Sequence, residues 1–335
     1  MGATIAVIGL GRIGAFHAET LAGLAGVDEL VVTDERPEVT AAVADKLGSR
    51  AVPDAQAALA AGVDGVVIAA ATPAHAGLIL AAVQAGIPVF CEKPIAFTAA
   101  ESRDVVARLA DSTVPVQIGY NRRFDPAYVA AYEAVRAGEL GRLSTVRSTT
   151  MDPAPPPPAY VAASGGIFRD CSVHDFDIVR WIVGREVVEV YAAGTDHGEA
   201  MFAEAGDAAS AQTLLTFDDG TLGVVSNTRY NGRGYDCRLE LHGSSDSVVA
   251  GWDASVPVRN LTPGETFPNG APYQFFMDRF IDAYRAELNA FLDVATGRRA
   301  SPCTPQEALE VAWIAEAATL SLQQHRPIRM EEVRS

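Results

Sequence analysis

Lysine is nearly missing from this chain of 335 residues. Lys46 and Lys93 are the only two lysines, and arginine supplies the rest of its 26 Lys and Arg side chains. An arginine guanidinium is a broad fork that stays protonated, whereas a lysine ammonium is compact and can point at one hydroxyl. A lysine that is kept next to a predicted binding site therefore indicates a need for its particular chemistry.

Basic charge as a whole is scarce. The 26 Lys and Arg face 42 Asp and Glu, which gives a net charge of −16 at pH 7. This balance argues against nucleic acid and against anionic lipid, since both need a basic face. No apolar run reaches the roughly 18 residues of a membrane span, and the chain enters a strand pattern without a secretion signal. We expect neither a nucleic-acid partner nor a membrane.

Cysteine is rare and scattered, at Cys91, Cys171, Cys237 and Cys303. No pair has the spacing of metal ligands or of a disulfide framework. We therefore predict reduced thiols, a cytoplasmic location and no metal.

A glycine motif follows the first apolar run, residues 4–8, without a gap. Gly9 permits a tight turn, Gly11 lets the backbone approach a pyrophosphate, and Gly14 lets a helix pack closely on the strand. A helical pattern follows, and its N-terminus offers unpaired N–H groups to phosphates. The motif predicts a dinucleotide site, and the alternative is a glycine turn in an ordinary α/β protein.

Asp34 ends the second apolar run, twenty residues after Gly14. A carboxylate there can accept hydrogen bonds from the adenosine ribose hydroxyls. It would also repel a 2′-phosphate, which favours NAD over NADP. Arg36 stands two residues later and leaves some use of NADP open.

The pattern of strands and helices changes near residue 120. Before it, apolar strands alternate with helices, which is typical of a Rossmann-type, doubly wound parallel sheet. After it, strands alternate polar and apolar, and residues 211–217 and 222–227 predict a hairpin. The predicted class is α/β, with an NAD-binding Rossmann domain at 1–120. Residues 121–335 are predicted to form a second α/β domain with an open, mostly antiparallel sheet.

Glu92, Lys93 and Pro94 follow a predicted parallel strand directly. Ligands of open parallel sheets bind beyond the carboxyl ends of the strands, so Lys93 is expected to face the cofactor cleft. The alternative is a solvated surface lysine.

Asp170, His174 and Asp177 stand at i, i+4 and i+7 in a helical pattern, which places them on one face. That alignment favours a site. Two other interpretations remain open: a helix cap with a satisfied histidine, and a metal site with two carboxylates and an imidazole.

A polar cluster, residues 121–125, follows the last strand of the first domain. Asn121, Arg122 and Arg123 could reach the nicotinamide ribose, phosphates or substrate hydroxyls, and the alternative, above all for Arg123, is an interdomain salt-bridge cluster with Asp125. Tyr235 is a weaker candidate for a hydroxyl contact. Residues 152–158 contain five prolines and predict an extended loop that either connects elements or shapes a pocket.

Over nearly its whole length the chain resembles the glucose-fructose oxidoreductase, inositol dehydrogenase and rhizopine catabolism family. The matching elements are residues 9–14, Asp34, Thr72-Pro73 with His75, Glu92-Lys93-Pro94, the Asn121 loop, and Asp170 with His174. Residues 121–126 and 165–177 resemble inositol 2-dehydrogenases most. The resemblance implies a Rossmann domain, a second domain whose sheet mediates oligomers, and Lys93, Asp170 and His174 as the catalytic set. The proline run with Asp152 departs from many inositol enzymes and leaves the exact polyol open.

We therefore expect reversible NAD-dependent oxidation of a secondary ring hydroxyl of an inositol to the ketone. His174 would accept the hydroxyl proton, Asp170 would orient the ring or the hydroxyl, and Lys93 would stabilise the developing negative charge. The alternatives are an aldose or anhydro-sugar dehydrogenase, a non-catalytic dinucleotide sensor, and redox-assisted glycoside cleavage with tightly held NAD.

The candidate residues form two sets. The predicted cofactor contacts are Gly9, Gly11, Arg12, Ile13, Gly14, Asp34, Thr72, Pro73, His75, Glu92 and Asn121. The predicted substrate contacts are Lys93, Arg122, Asp152, Asp170, His174, Asp177 and Tyr235. The expected partners are a cyclic polyol or sugar and further copies of the chain, as a dimer or tetramer.

Overall fold

The computed structural model describes residues 2–334 and divides into two compact units. The first comprises residues 2–121 and 282–310, and the second comprises 122–281 and 311–334. The predicted boundary at 120 lies close to the end of the first segment, but residues 282–310 were expected in the second domain. They join the first unit because apolar side chains of this segment, among them Leu288 and Phe291, are buried in the same core as Ile5 and Phe90.

The helices and strands have the following bounds. The strands are β1 (Ala3–Ile8), β2 (Val27–Thr33), β3 (Arg50–Ala51), β4 (Gly65–Ile68), β5 (Val89–Glu92), β6 (Val116–Gly119), β7 (Leu143–Met151), β8 (Val187–Thr195), β9 (Ser210–Phe217), β10 (Leu222–Thr228), β11 (Asp236–Gly243), β12 (Ser247–Ala250) and β13 (Ile328–Arg329). The helices are α1 (Arg12–Ala22), α2 (Pro37–Leu47), α3 (Ala55–Leu59), α4 (Thr72–Gln84), α5 (Ala99–Leu109), α6 (Pro126–Arg136), α7 (Pro158–Ala163), α8 (Val173–Val183), α9 (Ala200–Ala205), α10 (Phe276–Ala295) and α11 (Pro305–Gln324). None of the helices in the part that the structure describes is both long and apolar enough to cross a membrane.

The sheet of the first unit is parallel, with strand order β3-β2-β1-β4-β5-β6. This is the order of a dinucleotide-binding Rossmann domain, with its switch point between β1 and β4. The central strands read as continuous apolar runs because both faces of such a sheet are covered. The predicted doubly wound sheet is confirmed.

The sheet of the second unit has the order β12-β11-β7-β10-β9-β8-β13. Its pairings are antiparallel except that of β7 with β10, which is parallel. The predicted hairpin is present as β9 and β10, with Leu222 opposite Thr216. Helix α8 packs on β7 and β10, while alternate side chains of β9 face outward. The open, mostly antiparallel sheet is thus confirmed, and the parallel pair brings the ends of β7 and β10 side by side.

Candidate active site

The glycine-rich loop fits a bound dinucleotide. Gly9 has φ +89°, and a Cβ there would lie 2.5 Å from the backbone of Ala70. A Cβ on Gly14 would lie 1.9 Å from the Gly9 carbonyl oxygen, whereas one on Gly11 meets nothing within 4 Å. The outer two glycines are therefore fixed by packing, and Gly11 leaves open space over the loop for a ligand.

Helix α1 begins in this loop, and its first turn carries no side-chain cap. Gly11 is the N-cap, and Arg12 and Ile13 are the first helical residues. Arg12 is exposed and Ile13 is half-buried. The N–H groups of this first turn are the donors that would hold a pyrophosphate.

Asp34 closes the same loop from β2. Its Oδ2 accepts from the Leu10 backbone N–H over 2.7 Å, and its Oδ1 accepts from the Arg36 Nε over 3.0 Å. Burial raises the pKa of Asp34, but the bonds from Arg36 and Leu10 outweigh it and hold the pKa below its usual value. The carboxylate is therefore ionised, and it holds the Arg36 guanidinium through Nε. This arrangement disfavours a 2′-phosphate.

Helix α4 starts at Thr72 and Pro73, beyond the end of β4. His75, one turn on, is 2% exposed. Its Nδ1 lies 2.7 Å from the Pro94 carbonyl oxygen and its Nε2 lies 2.9 Å from that of Ala70. His75 thus ties the start of α4 to the turn after Lys93, so we correct its predicted role from a direct cofactor contact to a positioning one.

Glu92, Lys93 and Pro94 follow β5, as the sequence indicates. The Lys93–Pro94 peptide bond is cis, and Lys93 is half-buried. Glu92 bonds through Oε1 to Nε2 of His17 at 2.6 Å, and the His17 side chain is fully buried. Sequence reasoning missed this histidine, although it lies in the helix that the glycine motif begins. The bond to His17 fixes Glu92, the residue that precedes Lys93.

Asn121 comes two residues after the end of β6, as the first residue of a 3₁₀ turn, and is 4% exposed. The glycine loop, Thr72, Lys93 and Asn121 all follow parallel strands of one sheet. They therefore lie at the same edge of that sheet, where such sheets bind ligands.

Asp170 lies in a π-helical turn, Phe168–Ser172, and α8 begins only at Val173. Asp170 therefore lies outside α8, and the spacing across the π-helical turn differs from the α-helical period on which the predicted single face rests. Asp170 does not cap the helix. Its two oxygens accept from side chains instead: Oδ1 from the Tyr160 hydroxyl at 2.9 Å and Oδ2 from Arg229 Nη2 at 2.7 Å. π-helical turns of this kind are frequent at functional sites.

Arg229 also donates to Asp152 Oδ2 over 2.9 Å through Nη1. Asp152, predicted as a substrate contact, is thus half of a bridge to Asp170. Sequence reasoning missed Arg229 because its position depends on the parallel pairing of β7 with β10, where Thr228 lies opposite Met151. No local motif in the sequence predicts the pairing of these two strands.

Asp177 and Arg122 are buried in ion pairs inside the second unit. The Arg123 guanidinium binds Asp177 through Nη2 at 2.6 Å and Nε at 2.9 Å, and both side chains are 1% exposed. Arg122 donates to Asp175 over 2.8 Å and is 2% exposed. We therefore remove Asp177 and Arg122 from the predicted substrate contacts. The salt-bridge interpretation of this cluster was closer, although the partner of Arg123 is Asp177.

Asp125, the partner first considered for Arg123, instead pairs with Arg279 Nη1 at 2.6 Å and caps α6. Tyr235 is 5% exposed, with its ring edge-on to Phe280. Burial raises the pKa of Tyr235 well above its usual value, so its hydroxyl stays protonated and could donate to a ligand.

His174 is the second residue of α8 and is half-buried. Within residues 2–334, no group of three or more His, Cys, Asp or Glu is arranged to hold a metal ion. The pairing of Asp177 with Arg123 removes one of the three ligands that the metal interpretation needs.

Comparison with known proteins agrees with this geometry. The model of an oxidoreductase family with an NAD-binding Rossmann fold matches residues 3–120, and that of the GFO/IDH/MocA C-terminal domain matches residues 128–249. The chain is 35% identical over 332 residues to the myo-inositol 2-dehydrogenase of Thermotoga maritima, covering 98% of this chain and 99% of the relative. It is 34% identical over 323 residues to the inositol 2-dehydrogenase of Rhizobium meliloti, covering 96% and 97%.

A solved structure is also similar along its whole length. It is the scyllo-inositol dehydrogenase of Lactobacillus casei with bound NAD(H) and scyllo-inositol, with TM-score 0.88 and 26% identity, covering 99% of this chain and 100% of that one. Since family models match both parts of the chain and relatives match it end to end, the chain belongs to the GFO/IDH/MocA family of oxidoreductases, with an NAD-binding Rossmann domain.

Proposed function

We propose that this protein is an NAD-dependent dehydrogenase that oxidises a secondary ring hydroxyl of an inositol to a ketone. The observation that carries the proposal is the presence, in one chain, of a glycine loop fitted to a dinucleotide and of Lys93, Asp170 and His174. Relatives that match the whole chain are named inositol 2-dehydrogenases, which supports a cyclic polyol as the substrate.

The cofactor contacts in this proposal come from the first unit. Gly11 and the first turn of α1 would hold the pyrophosphate, and Asp34 would bind the adenosine ribose. Thr72 and Pro73, beyond β4, and Asn121, beyond β6, would contact the rest of the dinucleotide. NAD, when bound, supplies the acceptor for the hydride that leaves the carbinol carbon.

Three side chains of this protein would handle the proton and the charge. His174 accepts the hydroxyl proton, since a neutral imidazole is the side chain most often used as a general base. Lys93 donates to the reacting oxygen and stabilises its developing negative charge. Asp170, held in place by two donors, orients the imidazole or the hydroxyl.

The remaining substrate contacts are fewer than the sequence predicts. Tyr235 stays a proposed hydroxyl donor, since burial keeps its phenol protonated. Asp152 acts through Arg229 in this account, while Asp177 and Arg122 hold the second unit together.

A substrate screen tests the proposal. NADH formation is measured with NAD⁺ and myo-, scyllo- and chiro-inositol, and with common aldoses, for the wild type and for Lys93→Met. We expect turnover of at least one inositol by the wild type and its near loss in the variant. Turnover of aldoses alone would overturn the inositol assignment in favour of a pyranose dehydrogenase. NAD binding without turnover of any substrate would favour a dinucleotide sensor.

We also propose that the protein is a homo-oligomer, built on the outward face of the second sheet. One row of directly opposed residues crosses that face: Tyr191, Leu214, Val224, Arg147, Glu240 and Val249. Tyr191, Leu214 and Val249 are each more than 40% exposed. Arg147 Nη1 lies 3.7 Å from Glu240 Oε2. A face with apolar ends and both charges near its centre is complementary to a second copy of itself.

Light scattering after gel filtration tests this proposal. We expect the wild type to exceed the mass of one chain and Leu214→Asp to shift toward it. Leu261→Asp, at a 77% exposed position outside the sheet, should not shift. A wild type with the mass of one chain would contradict the proposal.

For the compartment we propose the cytoplasm. All four cysteines are free and buried. Burial raises the pKa of the Cys91, Cys171 and Cys237 thiols, so they react slowly. Such thiols are typical of proteins that live under reducing conditions.

A further inference from the structure

Arg229 joins two carboxylates that come from different elements of the second unit. Nη1 donates to Asp152, just after β7, and Nη2 donates to Asp170, in the π-helical turn. The arginine side chain is 6% exposed, against 23% for Asp152 and 14% for Asp170. Charge-assisted bonds to a buried guanidinium are among the stronger hydrogen bonds in proteins. The bridge therefore fixes Asp170 relative to the end of the sheet.

Both oxygens of Asp170 are engaged, but the two donors differ in kind. Tyr160 is 46% exposed and supplies a neutral hydroxyl to Oδ1. Arg229 is buried and supplies a positive charge to Oδ2. Removing the tyrosine would loosen the carboxylate, whereas removing the arginine would also change the charge around it.

Acidic groups outnumber basic ones around the bridge. The charged and titratable groups around Asp170 and its bridge include Arg229, Asp152, Tyr160, Cys171, Asp207, Tyr235 and the more distant Arg122. Asp175 lies beyond them, paired with Arg122, and His174 follows Asp170 by four residues.

The charges of the two bridged side chains are coupled. Burial raises the pKa of the Asp152 carboxyl, the nearby Asp170 raises it further, and Arg229 opposes both. Burial lowers the pKa of Arg229, but the surrounding Cys171, Asp170 and Asp152 outweigh it, so the guanidinium stays charged.

We propose that Arg229 is a positioning residue for the oxidation, which bridges Asp152 and Asp170 and thereby keeps Asp170 ionised and oriented for His174. The inference rests on the proposed function for its kinetic test, although the bridge itself is a property of the second unit. It assigns Asp152 to the anchoring of Arg229 rather than to the substrate. A lysine could keep the charge but not span both carboxylates with two donors in one plane.

The bridge predicts opposite effects for its two ends. Without the Arg229 cation, protons bind more readily to every acid and base around Asp170, so the acidic limb of kcat/KM moves to higher pH. Without the Asp152 anion, Arg229 pairs with Asp170 and the local potential is more positive. Protons then bind less readily, and the acidic limb of kcat/KM moves to lower pH. A purely structural role would slow both variants without moving the limb in opposite directions.

The kinetic test compares Arg229→Gln, Arg229→Lys and Asp152→Asn with the wild type, using NAD⁺ and the best inositol of the screen. For Arg229→Gln we expect the midpoint of the acidic limb of kcat/KM to move to higher pH by about one unit. We also expect kcat to fall by up to about a hundredfold. Arg229→Lys should restore the limb but only part of kcat, and Asp152→Asn should lower the limb. The dissociation constant of NAD⁺, from protein fluorescence, should stay within about twofold.

Acidic limbs that stay at the wild-type pH in both Arg229→Gln and Asp152→Asn would overturn the inference, whether or not kcat falls. A second measurement needs no turnover. It can therefore be made on variants with too little activity for kinetics, and on a wild type that does not oxidise inositol. The Asp170 carboxyl is titrated by carbon NMR in protein labelled at aspartate, with Asp170→Asn identifying its signal. The inference requires this carboxyl to titrate at higher pH in Arg229→Gln, and an unchanged titration contradicts it. If the wild type oxidises no inositol while this shift is observed, the proposed function fails and the bridge stands.

Discussion

Replacing Asp177 by alanine should destabilise the second unit rather than weaken substrate binding. The carboxylate accepts bonds from two nitrogens of Arg123, at 2.6 and 2.9 Å, and both side chains are 1% exposed. The variant removes a carboxylate that pairs with a buried guanidinium, and breaking such a pair from one side costs about 3–5 kcal/mol. For a unit of this size that corresponds to a fall in Tm of about 6–20 °C.

Thermal unfolding followed by circular dichroism measures this loss. Arg185→Ala is the control, because its ion pair with Asp219 is exposed and should contribute less than about 1 kcal/mol. The double variant Arg123→Met, Asp177→Leu should recover most of the Tm, since it removes both charges together. If Asp177→Ala melts within about 2 °C of the wild type and raises KM for the substrate, the carboxylate binds substrate and the reasoning fails.

Three further predictions concern cofactor and chemistry. The kcat/KM with NAD⁺ should exceed that with NADP⁺. Asp34→Ser should reduce the difference between these two values, because it removes the carboxylate and frees Arg36. A wild-type preference for NADP⁺ would refute the role of Asp34. Lys93→Met should lower kcat by about a hundredfold or more with little change in NAD⁺ affinity, and retention of more than about a tenth of wild-type kcat would exclude the role. The kcat/KM for oxidation should rise with pH through one acidic limb, because His174 must be neutral to accept a proton, and His174→Ala should remove that limb from whatever activity remains.

The first unit was predictable because its requirements are local. Gly9 needs a positive φ for the turn after β1, and Gly14 must lack a Cβ because the carbonyl of Gly9, five residues earlier, leaves no room for one. Parallel strands then bring their carboxyl ends to one edge, so Lys93 could be placed there from its position after an apolar run alone. Residues 282–310 were assigned to the other domain because nothing local in an amphipathic helix indicates which core the helix joins.

The second unit was less predictable because its polar residues find partners far along the chain. Arg123 and Asp177 are 54 positions apart, and Arg229 and Asp170 are 59 apart. From the sequence, Asp177 and Arg229 are simply polar residues near apolar ones, and the pattern could not distinguish a buried ion pair from a substrate contact. The π-helical turn at Asp170 adds to this, since the α-helical period of 3.6 residues does not describe the spacing across that turn.

The most direct test of the proposed chemistry follows the hydrogen of the substrate. The wild type is given NAD⁺ and an inositol that carries deuterium at every ring carbon, and the reduced cofactor is analysed by mass spectrometry. Hydride transfer from a carbinol carbon predicts one deuterium on the nicotinamide for each ketone formed. Unlabelled NADH, or consumption of a glycoside by enzyme that co-purifies with NAD and produces no net reduction, would contradict the account.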